Sequence, residues 1–231
     1  MKKILLLAAA AVALFSENAY AGNVSSAQNK TYVSLKAAQS KYKAEFDGGD
    51  SVKDDVTGAR LALGFARGVD NGTLRAEIEL GMDGKAKESA KEGDGYSYFE
   101  SEYSFEKASL MANVYFDFDT KTAFSPYISV GAGVARVKGS LYEYGEDNSY
   151  FEEFSGSKTQ YNFAYQLTAG VGYKINDKMT LDVSYRYADF GESKISGTGA
   201  GFDAMGAYTL EDEVKADLTS SEIMIGLRYS F

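Results

Sequence analysis

Cysteine and histidine are both absent from the 231 residues of the chain, and proline occurs once. Without cysteine there is no disulfide, no thiol nucleophile and no lipidated residue of the kind that anchors a lipoprotein. Without histidine, serine-histidine and cysteine-histidine catalysis are excluded, and so is an ordinary zinc site. No apolar run is long either: residues 4–15 fall short of the roughly 18 residues that a membrane-crossing helix needs. Basic charge is also in deficit, with 24 Lys and Arg against 33 Asp and Glu. Such a surface does not attract nucleic acid.

What is present begins with Met1-Lys2-Lys3, the apolar run from Ile4 to Phe15, and the small-x-small ending Ala19-Tyr20-Ala21. A basic start, a short apolar stretch and small residues at the end mark a secretory leader over residues 1–21, cut after Ala21. The leader carries Lys2, Lys3 and Glu17, so the exported domain, residues 22–231, has a net charge of about −10.

The end of the chain is more informative. Ile223, Ile225, Leu227, Tyr229 and Phe231 share one parity, and Glu222, Met224, Gly226, Arg228 and Ser230 the other. Only a strand presents a period of two as two faces. The same alternation recurs over 31–38, 57–66, 73–82, 109–118, 126–135, 161–173 and 181–188, which predicts eight strands. Pro126 stands at a strand start, where a missing N–H costs least. Short turns such as Gly68-Val69-Asp70-Asn71-Gly72 and the pair Asn176-Asp177 alternate with long inserts over 83–108, 138–158 and 189–220. With both termini on one side, every long insert leaves from the opposite end. The expected fold is an all-β, eight-stranded antiparallel up-and-down barrel that crosses a membrane, with short periplasmic turns and long extracellular loops.

A soluble barrel of lipocalin type would turn the apolar parity inward. Two features oppose that arrangement. The polar parity is rich in Gly, Ala and Ser with sparse charges of both signs, as in a crowded lumen. The apolar parity places Phe65, Phe116, Phe118, Tyr173, Tyr229 and Phe231 at one end of the strands and Tyr161, Phe163, Tyr185 and Tyr187 at the other, as two interfacial girdles. The lumenal charges are then Lys36, Arg60, Arg75, Glu77, Glu79, Asp117, Asp182, Arg186, Glu222 and Arg228. An eight-stranded interior is narrow enough for side chains to fill, so these charges are expected to pair as a plug rather than line a conducting path.

The segments Tyr32-Val33-Ser34-Leu35-Lys36, Leu110-Met111-Ala112-Asn113-Val114-Tyr115, Ser125-Pro126-Tyr127-Ile128, Gly131-Ala132-Gly133, Tyr185-Arg186-Tyr187 and Gly226-Leu227-Arg228-Tyr229-Ser230-Phe231 resemble the small outer-membrane barrels of the OmpA transmembrane, OmpX and neisserial opacity type. The resemblance implies an outer-membrane location, an inward Lys36 in a lumenal ion-pair network, and a C-terminal assembly signal, Leu227, Tyr229 and Phe231, read by the barrel assembly machinery. Unlike full-length OmpA, the chain is expected to end with its barrel, with no peptidoglycan-binding domain.

The inserts carry aromatics among carboxylates: Tyr96, Tyr98, Phe99 and Tyr103 in one, and Tyr142, Tyr144, Tyr150, Phe151 and Phe154 in another. Two readings stand side by side. These residues extend the barrel as hairpins, since Tyr and Phe favour strands, or they form a binding surface. The opacity-type resemblance points to surface interaction, with host or neighbouring-cell proteins or glycans as partners beside outer-membrane lipid and lipopolysaccharide. The Gly-rich stretch Gly197-Thr198-Gly199-Ala200-Gly201 lacks the lysine and strand context of a phosphate loop. The acidic clusters over 47–55 and 211–213 lack EF-hand spacing, and a solvated face is favoured over a metal site. The pair Glu152-Glu153 points to opposite sides of a strand with no nucleophile nearby. No cofactor is expected. A surface-interaction and envelope-integrity barrel leads, ahead of a narrow pore for small solutes and, last, a lipid-modifying enzyme.

Overall fold

The computed structural model describes residues 29–231 apart from 47, 48, 50 and 95; the expected leader and its cleavage site at Ala21 lie outside the described residues. The strands are β1 (Asn29–Phe46), β2 (Ser51–Val69), β3 (Gly72–Asp83), β4 (Ala86–Gly93), β5 (Ser97–Phe118), β6 (Phe124–Asp147), β7 (Phe151–Lys174), β8 (Met179–Asp203) and β9 (Gly206–Ser230). Each pairs antiparallel with its neighbour in the order β3-β2-β1-β9-β8-β7-β6-β5-β4, and β3 also pairs with β5, which closes the ring. Strands β3 and β4 lie end to end along β5, Met82 opposite Ala108 and Ala86 opposite Phe105. They are two lengths of one stave, so the barrel has eight.

The staves run far beyond the expected strands. The insert over 83–108 is the β4–β5 hairpin continuing into the barrel, that over 138–158 is the upper part of β6 and β7, and that over 189–220 is the upper part of β8 and β9. Tyr, Phe, Val and Thr at alternate positions support the extension, and the added residues keep ladder hydrogen bonds except along one stretch between β7 and β8. The first hairpin is shorter. Above the pair Phe46 and Ala216, where the β1 ladder ends, the remainder of β9 pairs only with β8, so the upper part is an open curved sheet.

Along the staves the two faces exchange character. In the lower part, Leu35, Leu61 and Ile225 point outward with 61%, 55% and 55% of their surface exposed, while Lys36, Arg60 and Glu222 are buried inside. In the upper part, Lys41, Lys43 and Glu45 follow on the outward parity of β1, while Tyr42 and Ala44 lie inside. There Val56, Phe105, Val137, Phe190, Ile195 and Leu218 form an apolar core with Tyr42. A ring that is apolar outside and charged inside suits lipid; one that is charged outside and apolar inside suits water. The chain joins one of each end to end, and the outward aromatics Tyr161 and Tyr187 mark the border.

One seam interrupts the wall. Between β7 and β8 the ladder stops at Tyr165 and Asp189 and resumes, shifted, at Gly156 and Gly197. Within the gap, the Asn162 amide donates to the carbonyls of Phe190 (2.9 Å) and Glu192 (2.7 Å), and the Gln160 amide donates to the carbonyl of Lys194 at 2.9 Å. Side-chain donors thus replace missing backbone ones. On its other side β8 places Phe190 and Gly191 against the single Leu218 of β9, a bulge at which Gly191 takes φ of 70° and its N–H donates to Asp189. Asn162→Ala is expected to cost about 2 kcal/mol, roughly 1 for each lost bond. Amide exchange should quicken over 190–196 and stay unchanged in β1.

Candidate functional site

The interior of the lower barrel is a stack of ion pairs. At its base, Arg75 holds Asp117 with two parallel bonds of 2.8 Å, and its guanidinium lies 4.1 Å from the Tyr115 ring centre. Arg228 bridges Asp117 at 3.4 Å and Asp182 at 3.2 Å. One layer up, the Lys36 ammonium donates to Glu77 at 2.8 Å and to Glu79 at 2.7 Å. Arg186 joins Glu79, at 2.7 Å, to Glu222, and also donates to Gln166 at 3.1 Å. At the top, Arg60 reaches Asp83 at 2.6 Å and Glu222 at 3.0 Å, and Lys107 reaches the same two carboxylates at 2.8 and 3.6 Å.

All ten lumenal charges named from sequence are buried here and all are paired. Two further members, Asp83 and Lys107, stand in the stretch expected as loop. Both continue an inward parity already visible, Glu77-Glu79-Gly81-Asp83 on β3 and Asn113-Met111-Ser109-Lys107 on β5. With them the network contains six cations (Lys36, Arg60, Arg75, Lys107, Arg186, Arg228) and six carboxylates (Glu77, Glu79, Asp83, Asp117, Asp182, Glu222), so the described lumen is neutral. Neutrality and full pairing are what make buried charge tolerable.

Lys107 marks the change of medium. Its ammonium faces the two carboxylates below and lies 3.6 Å from the centre of the Phe190 ring above, a cation–π contact. Over it sits the apolar core. Ion pairs and then hydrocarbon fill the cross-section in succession.

The candidate contact residues of the hairpins divide. Tyr96 and Phe99 are exposed, and Tyr142, Tyr150 and Phe151 are each 36% exposed. Phe154 and Tyr103 require correction. Phe154 is buried in the apolar core, because it falls on the inward parity of β7. Tyr103 is half-buried against that core, stacks edge-on with Phe46 at 5.4 Å and donates to Glu143 at 2.5 Å. Both serve packing rather than contact. On the outward parity, the hydroxyls of Tyr98 and Tyr144 donate to Glu100 (2.8 Å) and Glu146 (2.5 Å) two residues on. Donation to a carboxylate pushes the Tyr144 phenol up to about 12. Glu146→Gln removes that charged acceptor, and ultraviolet titration of the variant is expected to show one phenol titrating nearer 10.

Of the sequence-noted clusters, Asp54 and Asp55 lie in β2, Glu152 and Glu153 in β7, and 211–213 in β9. The Glu152 side chain accepts from Tyr150 at 2.7 Å and from Tyr208 at 2.9 Å. Among the described residues no group of three Asp or Glu is arranged to hold a metal.

The chain is similar to several known proteins. Outer membrane protein PagN of Salmonella typhimurium is 31% identical over 182 residues, which cover 76% of this chain and 73% of that protein. A protein named putative adhesin RC1281, from Rickettsia conorii, is 26% identical over 219 residues, covering 84% and 88% of the two chains. Neisserial surface protein A, in its crystal structure, superposes with a TM-score of 0.49 at 21% identity, covering 87% of this chain and 97% of its own. The model of the outer membrane protein beta-barrel domain matches residues 7–231. The chain is a member of that family of small outer-membrane β-barrels, and its place is the outer membrane.

Proposed function

We propose that this outer-membrane barrel is a non-enzymatic surface-interaction protein, an adhesin in class, which also contributes to envelope integrity. The observation that carries the reading is the contrast between a filled interior and tall, ordered hairpins with exposed aromatics beside carboxylates. A closed lumen leaves the outer surface as the part that meets other molecules. Exposed aromatic patches commonly mark binding surfaces, and the naming of a Rickettsia relative as a putative adhesin supports the same direction. In this reading residues 1–21 are a leader removed on export and 22–231 are the barrel domain. The apolar band meets lipid and lipopolysaccharide, and Leu227, Tyr229 and Phe231 present the assembly signal. Host or neighbouring-cell proteins or glycans are the partners of the hairpins.

The test is surface display in a non-adherent strain. Replacing residues 141–155 and 197–210 by short turns is expected to abolish the attachment gained with the intact barrel, while the shortened protein still runs as a heat-modifiable, folded band. Attachment that survives the shortening contradicts the proposal.

A further inference from the structure

Cross-strand register places Tyr98 of β5, Glu146 of β6, Phe151 of β7 and Phe202 of β8 in one continuous row, each opposite the next. Residues paired in this way share a face; on β5, β6 and β7 their parity is that of the lipid-facing residues lower on the same strands, and on β8 the bulge at Phe190-Gly191 shifts the count and brings Phe202 to that face. The row therefore looks outward. It lies twelve residues above Val134 on β6, or roughly 40 Å along the strand, well clear of the membrane border. In the next row, Tyr144 stands opposite Glu153. The rings interlock: Tyr98 and Tyr144 are 6.0 Å apart between centres, and Tyr144 and Phe151 are 5.6 Å apart in an edge-on arrangement. Phe202 extends the row with 56% of its surface exposed.

The carboxylates of this ladder differ in their company. Glu100, at its β4 edge, is held by Lys91 at 2.6 Å. Glu146 accepts only from the Tyr144 hydroxyl, and Glu153 has no ion-pair partner among the described residues. Two anions without a cation among the described residues thus stand beside the half-buried rings of Tyr98 and Tyr144 and the exposed rings of Phe151 and Phe202.

Resting on the surface-interaction reading, we propose that this ladder docks an arginine- and lysine-rich segment of a partner protein. Charge complementarity carries the choice. Ring faces attract guanidinium and ammonium groups, and the two uncompensated carboxylates supply the ion pairs between them. The same carboxylates repel an anionic glycan or nucleic acid. A second copy of the chain, with its net charge of −9, is also disfavoured. A neutral glycan would stack on the rings without needing the anions to be free.

The experiment is a titration of a fluorescent ten-residue peptide of alternating Arg and Ser onto the full-length protein, refolded in zwitterionic phosphocholine vesicles. Glu146→Gln with Glu153→Gln, and separately Tyr144→Ser with Phe151→Ser, are expected to weaken binding about ten-fold each. Asp55→Asn with Asp217→Asn removes the same charge from outward positions on β2 and β9, away from the ladder, and should change binding by no more than about two-fold. Equal loss in the charge-matched control would reduce the effect to bulk attraction and overturn the proposal, as would absence of binding to the parent protein. Stacking of a neutral glycan that the Gln variants retain would reassign the face. If the ladder variants still attach to cells while the shortened hairpins do not, only the ladder assignment fails.

Discussion

Arg186→Leu is expected to destabilise the folded barrel by about 3–5 kcal/mol, the usual consequence of removing one partner from a buried charge pair. Arg186 is the link between the middle and upper layers, joining Glu79 at 2.7 Å to Glu222. Its loss leaves six carboxylates facing five cations in the buried lumen. The carboxylates that remain keep Lys36, Arg60 and Lys107, but the excess negative charge has nowhere to go. Arg186→Leu combined with Glu222→Leu restores the balance at five and five, and replacement of a buried pair by hydrocarbon is often neutral. The double variant should therefore recover most of the loss. Urea unfolding in detergent, followed by circular dichroism because the chain has no tryptophan, measures both. A double variant no more stable than the single one would show that geometry, rather than charge balance, governs the network.

Phe190→Ala should carry a comparable cost, about 3–5 kcal/mol, confined to the upper part of the molecule. Phe190 is buried in the apolar core, covers the Lys107 ammonium at 3.6 Å and lies 6.4 Å from Tyr42. It also sits in the bulge opposite Leu218, where the β7–β8 ladder is already interrupted. A cavity at that point weakens the place where fewest backbone bonds hold β7 to β8. The expected result is protease cleavage in the β7–β8 and β8–β9 hairpins, with a membrane-embedded core that stays folded on a gel. Cleavage no faster than in the parent protein would mean that the hairpins do not depend on the apolar core.

The same two regions show how far the sequence is legible. Alternation revealed the eight staves, both faces and ten of the twelve lumenal charges, because a period of two leaves no other assignment for Lys36, Glu77 or Arg186. Asp83 and Lys107 fall outside the expected strands because the outward apolar residues stop below them. Above that border the outward side becomes charged, so Glu106-Lys107 reads as a solvated loop although Lys107 points inward. Phe154 reads as surface for the converse reason: an aromatic next to carboxylates looks exposed until the parity of β7 is followed upward from Ala164. Parity itself fails on β8. Counting upward from Arg186 by twos places Lys194 and Ser196 inside, but the bulge at Phe190-Gly191 shifts the count and brings in Ser193 and Ile195 instead. A single inserted residue carries little signal in one sequence.

Planar-bilayer conductance of the purified, refolded protein tests the central claim most directly. With the lumen closed by ion pairs below and hydrocarbon above, and the hairpins as the functional part, no stable channels are expected from a preparation that is folded and heat-modifiable, nor from the variant with shortened hairpins. Stable small-amplitude channels from the parent protein would contradict that claim, and would move the functional site from the outer face of the hairpins into the barrel.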